Sequence, residues 1–323
     1  MSRRCTFNGC HAPELSCGYG ESDYEECTHW QAGGKSEATT SSVIEENAPL
    51  AGFRFPWTGN AMGIEDMAYL VGSAKARVLT LAGAADAGKT SLLAAFYLLI
   101  ARGIFPDDVR FAGSLTLEGW ENISNNLRWS AKNGPSFPPH TSSGVGRRPG
   151  LLHLTFDLLD QRCELLSADA PGEWFSDWAT NKLHPLAEGA RWLAGCTDVF
   201  LVIADSEALS GEERGLSRKA LIDLLRRIGD ERNDCPVALV WTKCDLAVSD
   251  EIETAVHEAA GRSLGSYPIF RVSMFSAAND QTRNQGQGIL ELLHWILTVK
   301  PEGRECPDDE QPERTLLRVC GGI

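Results

Sequence analysis

The chain of 323 residues lacks an apolar run long enough to cross a bilayer; the longest, Leu92 to Ile100, falls well short of the about 20 residues a membrane helix needs. It also lacks an apolar stretch behind Arg3 and Arg4, where Asn8, His11 and Glu14 follow instead. A secretory signal is therefore not expected, and a cytoplasmic location is. Basic residues are scarce: 30 Lys and Arg stand against 44 Asp and Glu, for a net charge of −14. A nucleic-acid partner held by a broad basic face is argued against, because such binding rests on neutralising phosphates. The pairs Arg147-Arg148 and Arg226-Arg227 are isolated and read as solvated surface. There is no C-x-x-C pair and no internal repeat. The ordinary 43% hydrophobic content suits one large α/β domain with appendages, or two small domains.

Cysteine is not scarce. Ten are present, and Cys5, Cys10, Cys17 and Cys27 crowd the first 27 residues together with His11. Two readings are open for this segment: a zinc site whose four ligands are drawn from Cys5, Cys10, Cys17, Cys27, His11 and His29, folding a piece too small for its own core, or reduced thiols in a flexible arm. The other six cysteines read as small apolar fillers. Residues 1–48 are expected to be a Cys/His-rich segment that ends in the linker Thr39-Thr40-Ser41-Ser42. Residues 60–298 form the main domain, and 299–323, with Asp308-Asp309-Glu310, an acidic flexible tail.

Within the main domain apolar strands and helices alternate. Strands are expected at Val78–Leu81, Val199–Ala204, Val237–Trp241 and Ile269–Ser273, with a hairpin at Leu151–Leu158 and Cys163–Ala168. Helices are expected at Ser91–Ala101, Leu216–Ile228 with Gly229 as its stop, Ser249–Gly261 and Ile289–Leu297, and Ser210 with Glu213 reads as a capping box. The pattern predicts an α/β, Rossmann-like three-layer sandwich with a mostly parallel sheet. The stretch from Phe111 to Gly150 is too long for a simple connection and reads as a functional loop with a short helix of its own.

Directly after the first buried strand stands Gly83-Ala84-Ala85-Asp86-Ala87-Gly88-Lys89-Thr90, followed by Ser91 and its helix. Glycines at this spacing let backbone N–H groups face phosphate oxygens at a helix N-terminus; Lys89 adds a charge and Thr90 a hydroxyl for Mg²⁺. A second motif, Asp169-Ala170-Pro171-Gly172, follows a strand: Asp169 suits the magnesium shell and Gly172 a γ-phosphate contact that a side chain would obstruct. A third, Thr242-Lys243-Cys244-Asp245, closes another strand. The Asp245 carboxylate can accept from the guanine N1–H and exocyclic amine, two donors adenine lacks, while the Lys243 stem lies along base and ribose. Ser276-Ala277 can offer a backbone N–H to the guanine O6.

These four motifs, in this order, resemble those of the translation-factor-related class of P-loop GTPases over residues 60–298, and the long insertion and cysteine-bearing start are most similar to the bacterial double-GTPase family. The resemblance implies a Mg²⁺-dependent GTPase binding GTP and GDP, acting as a nucleotide switch in a conflict or defence system, with a protein partner or second GTPase. Three positions depart from the pattern. Thr242 stands for the usual Asn of the guanine motif; Glu173 stands where a water-orienting Gln is common, which implies slow unaided hydrolysis; and Asp86 sits where some members bind a monovalent cation. Thr141 is the expected first-switch threonine, with Thr116 and Ser142 as competitors. Trp174, Phe175 and Trp178 read either as a contact surface or as packing. The rival functions are a nucleotide-binding scaffold with negligible turnover and an ABC-type ATPase, suggested by Leu209-Ser210-Gly211-Glu212-Glu213-Arg214.

Overall fold

A computed structural model of the chain describes residues 4–5, 27–31, 59–63, 66–67, 70, 75–127, 150–159, 161–273 and 287–300. The chain divides into two compact units, Met1–Arg54 and Phe55–Ile323. In the first, strand β1 (Arg4–Cys5) pairs antiparallel with β2 (Trp30–Gln31), placing Cys5 opposite Trp30. The Trp30 N–H donates to the Cys27 carbonyl at 2.9 Å, and Cys27 is buried.

The second unit runs β3 (Lys75–Ala82), α1 (Lys89–Ala101), β4 (Val109–Gly113), α2 (Leu117–Ser124), β5 (Gly150–Leu158), β6 (Gln161–Asp169), α3 (Gly172–Thr180), α4 (Glu188–Cys196) and β7 (Val199–Asp205). It continues with α5 (Ser206–Ser210), α6 (Arg214–Glu231), β8 (Val237–Thr242), α7 (Asp250–Leu264), β9 (Ile269–Arg271) and α8 (Gln287–Thr298). Among the described residues, seven strands pair in the order β4-β5-β6-β3-β7-β8-β9. From β6 to β9 the sheet is parallel; β4 and β5 run antiparallel at one edge. Strands buried on both faces need apolar residues at every position, which is why β8 is buried from Val237 through Thr242 and reads as a run rather than an alternation. One face is covered by Trp174, Phe175 and Trp178 of α3, Leu193 of α4, Leu225 of α6 and Val256 of α7. The other is covered by Leu92 and Phe96 of α1, Trp120 of α2 and Leu293 of α8. This is the expected α/β three-layer sandwich.

Three local expectations are corrected. Gly229 does not stop its helix: α6 runs on to Glu231, because Gly229 lies against the backbone of Ser263 in α7, where a Cβ would overlap the Ser263 carbonyl. It is a helix-crossing glycine. Ser210 and Glu213 form no capping box; Ser210 ends α5 and its hydroxyl donates to the Glu207 carbonyl. Helix α7 passes Gly261 and ends at Leu264, before Gly265.

The outer edge of β5 shows where its backbone groups go. Residues Thr155 to Leu158 pair with β4. Beyond β4, the His153 N–H donates to the Thr116 hydroxyl at 2.8 Å, and the His153 carbonyl accepts from Ser114 Oγ at 2.6 Å and Trp120 Nε1 at 2.9 Å. Leu151 then exchanges both backbone bonds with Met62. Among the described residues, side chains of Ser114, Thr116 and Trp120 and the backbone of Met62 thus take up the edge groups of β5 beyond β4. Among the described residues no helix is long and apolar enough to cross a membrane.

Candidate functional site

The turn after β3 is shaped by two glycines. At Gly83 a Cβ would lie 2.9 Å from Ile203 Cβ of β7, so only glycine lets the loop leave the sheet there. Gly88, the residue before α1, has φ +85, the left-handed region that glycine adopts without a steric penalty. Asp86 shares that region at φ 58, one of the few side chains that tolerate it. Ala87 and Ser91 are buried, the latter on α1. Lys89 opens α1 and folds back over the loop, its Nζ donating to the carbonyls of Gly83 at 3.1 Å and Ala84 at 2.6 Å. Burial lowers the Lys89 pKa to about 8, against the opposing pull of Asp169, Glu173, Asp86 and Asp205.

Strand β6 is parallel to β3 and delivers Asp169 beside the loop, where the Thr90 hydroxyl donates to Asp169 Oδ1 at 2.8 Å. Three residues later in the same turn, Gly172 begins α3 with its Cα so close to the backbone of Ala84 and Ala85 that a Cβ would overlap both. The next residue, Glu173, is exposed. Trp174, Phe175 and Trp178 are all buried, which corrects the contact-surface reading: α3 turns them into the core.

The third motif reaches the same loop from β8. Thr242 is buried and its hydroxyl donates to the Ala87 carbonyl at 2.8 Å. Lys243 takes a left-handed φ of 54, and its amine bonds Asp205 Oδ2 at 2.9 Å and Glu207 Oε2 at 2.7 Å. Burial pulls the Lys243 pKa down, but the bonds to Glu207 and Asp205 outweigh it and the net shift is upward. Asp245 Oδ1 accepts from Ser273 Oγ at 2.7 Å. Cys244 spaces the motif, its thiol donating to the Trp241 carbonyl at 3.1 Å. Loop, Asp169, Gly172 and Thr242 are therefore joined by direct contact at the carboxyl ends of neighbouring parallel strands, the place where open α/β sheets bind ligands.

Asp205 and Glu207 escaped the sequence reading, although an acidic residue ending the apolar run Val199–Ala204 was a usable signal. Thr116 is removed as a competitor for the first switch: it is fully buried and its hydroxyl belongs to the β5 edge. Thr141, Ser142, Ser276, Ala277, Arg147, Arg148, Cys10 and Cys17 lie outside the described residues. Among the described residues no group of three His, Cys, Asp or Glu side chains is placed to hold a metal ion. The pair Thr90 and Asp169 offers oxygen donors of the hard type Mg²⁺ takes, in the small number it needs when phosphate and water complete its shell.

No curated protein matches the chain by sequence. A solved structure, the apo form of translation elongation factor SelB from Methanococcus maripaludis, superposes with a TM-score of 0.36 at 16% identity, over 71% of this chain and 36% of its own. The chain thus spans about a third of the length of that factor. The family profile described as Double-GTPase 2 matches residues 77–296, from β3 through α8. With its phosphate loop, acidic strand end and guanine-type motif in mutual contact, the chain belongs to the double-GTPase 2 family and is a GTP-binding protein.

Proposed function

We propose that the protein is a cytoplasmic, Mg²⁺-dependent GTPase that hydrolyses GTP to GDP and phosphate and works as a nucleotide-dependent switch. The observation that carries this reading is the convergence of three distant segments on one loop: Thr90 on Asp169, Gly172 on Ala84–Ala85, and Thr242 on Ala87. Lys89 and the N–H groups of the loop up to Ser91 hold the β- and γ-phosphates, whose charge is spread over their oxygens in a loose transition state. Thr90 and Asp169 hold the magnesium, which when bound neutralises charge on the phosphate oxygens. Asp245, oriented by Ser273, accepts from the guanine edge, and Ser276-Ala277 and Thr141 complete the base and phosphate contacts.

Gly172 abuts the loop that receives the γ-phosphate, so triphosphate and Gly172 compete for room beside Ala84 and Ala85, and α3 shifts with nucleotide state. Glu173 faces solvent and accepts hydrogen bonds without an amide to donate, so unaided hydrolysis is slow and a partner protein or second GTPase accelerates it, in a conflict or defence setting. The same exposure favours a second reading, a scaffold whose bound GTP persists. Competition binding and single-turnover hydrolysis on the purified protein test both. GTP should outcompete ATP, and Asp245→Asn should erase that preference; an unchanged preference in that variant rejects the guanine assignment. GTP intact after hours favours the scaffold.

A further inference from the structure

Lys243 is fixed at both ends. Its Cα takes the left-handed conformation, and its amine, at the far end of a four-carbon stem, sits between Asp205 Oδ2 and Glu207 Oε2 at 2.9 and 2.7 Å. Asp205 lies directly across the sheet from Thr242, at the paired ends of β7 and β8. Asp205 is held in turn, because its Oδ1 accepts the Glu207 N–H at 3.0 Å as the N-cap of α5. The stem of Lys243 therefore spans the carboxyl ends of two parallel strands, beside Asp245.

We propose that Asp205 and Glu207 form a carboxylate clamp that stretches Lys243 into a rigid apolar ledge for the guanine base and ribose, with Asp205 as its principal positioning residue. The inference rests on the guanine-nucleotide reading above. A free lysine would have to lose its rotamer freedom when covering a base; a clamped one has lost it beforehand. Two carboxylates also consume the charge of the amine, so the ledge serves the base end of the nucleotide and not the phosphates. Asp205 is the stronger half, since its side chain is 10% exposed whereas that of Glu207 is 65% exposed, where ion pairs are weak.

Asp205→Asn is the informative variant: asparagine caps a helix as well as aspartate does, so α5 is kept while the charge is lost. Glu207→Gln lies on the surface and leaves the fold intact. Fluorescent GDP, GTP and GMP are titrated against the wild type, both single variants, the double variant, and each of these carrying Lys243→Met. The clamp predicts a loss of about tenfold for the double variant, mostly from Asp205→Asn and mostly in the dissociation rate, by the same factor for all three nucleotides. It also predicts that the double variant costs nothing further once Lys243 is Met. A loss that grows with phosphate number, an equal loss in the Lys243→Met background, or unaltered affinity in the double variant overturns the clamp alone. Wild-type protein that binds no guanine nucleotide overturns the clamp together with the reading beneath it.

Discussion

The Thr242 hydroxyl donates to the carbonyl of Ala87, 155 residues earlier in the chain, at 2.8 Å, so the guanine-type motif is bonded to the phosphate loop without any ligand between them. A hydroxyl has one proton to give. Thr242→Val keeps the shape, removes that donor and strands a buried carbonyl, at a cost of about 1–3 kcal/mol. Urea unfolding should show the loss, with faster GDP release and the GTP-over-ATP preference intact because Asp245 is untouched. A variant as stable as the wild type would mean that the bond contributes nothing.

Gly172→Ala tests the contact between α3 and the loop. The added Cβ meets backbone atoms of Ala84 and Ala85, which cannot swing aside as a side-chain tip can. The nucleotide-free protein should lose about 1–3 kcal/mol, as overpacked sites do. An unchanged urea midpoint would show that the two segments are not in contact in solution.

Lys89 makes two pH dependences of opposite sign. Its folded pKa of about 8 lies below the ordinary 10.5, so between these values the unfolded chain binds more protons and the stability of the nucleotide-free protein rises with pH. Nucleotide phosphates require the charged amine, so GDP affinity should be flat below about pH 8 and fall above it. Calorimetry in buffers of different ionisation heat should find uptake of about half a proton per GDP at pH 8 and almost none near pH 6.5. Equal uptake at both would exclude Lys89 as the titrating group.

His153 is held in one tautomer. Its Nδ1 accepts the Leu115 N–H at 2.9 Å, so the proton sits on Nε2 and is donated to Glu164 Oε2 at 2.7 Å. Burial lowers its pKa, with Glu164 pulling partly back. The sign follows: below the unfolded value of about 6.5 the unfolded chain gains a proton that the buried ring resists, so stability is lost as the pH drops. His153→Gln can keep both bonds but cannot titrate, so its stability should vary less between about pH 7 and 5. A slope equal to that of the wild type would assign the acid sensitivity elsewhere.

The buried strands and amphipathic helices were legible because burial on both faces of a parallel sheet leaves apolar runs such as Val199–Ala204 that few other structures require. Strand β4 was not, since a five-residue edge strand buried only at Val109 carries no periodicity. Gly229 misled for a related reason: a glycine that admits a crossing helix looks, in sequence, the same as one that ends a helix. The site was legible where its chemistry is carried by residue type at fixed spacing, as at Gly83–Thr90 and Asp169–Gly172. It was illegible at Asp205 and Glu207, whose partner Lys243 is a neighbour only after β7 and β8 pair.

The way β5 is finished bears on how this sheet meets other chains. Next to it stands a short β4 with an irregular register between Phe111 and Gly113, and past β4 the strand's groups are taken by Ser114, Thr116, Trp120 and Met62. A rim made of one short, irregular strand, with the strand behind it finished by other groups, is a poor template for adding a foreign strand.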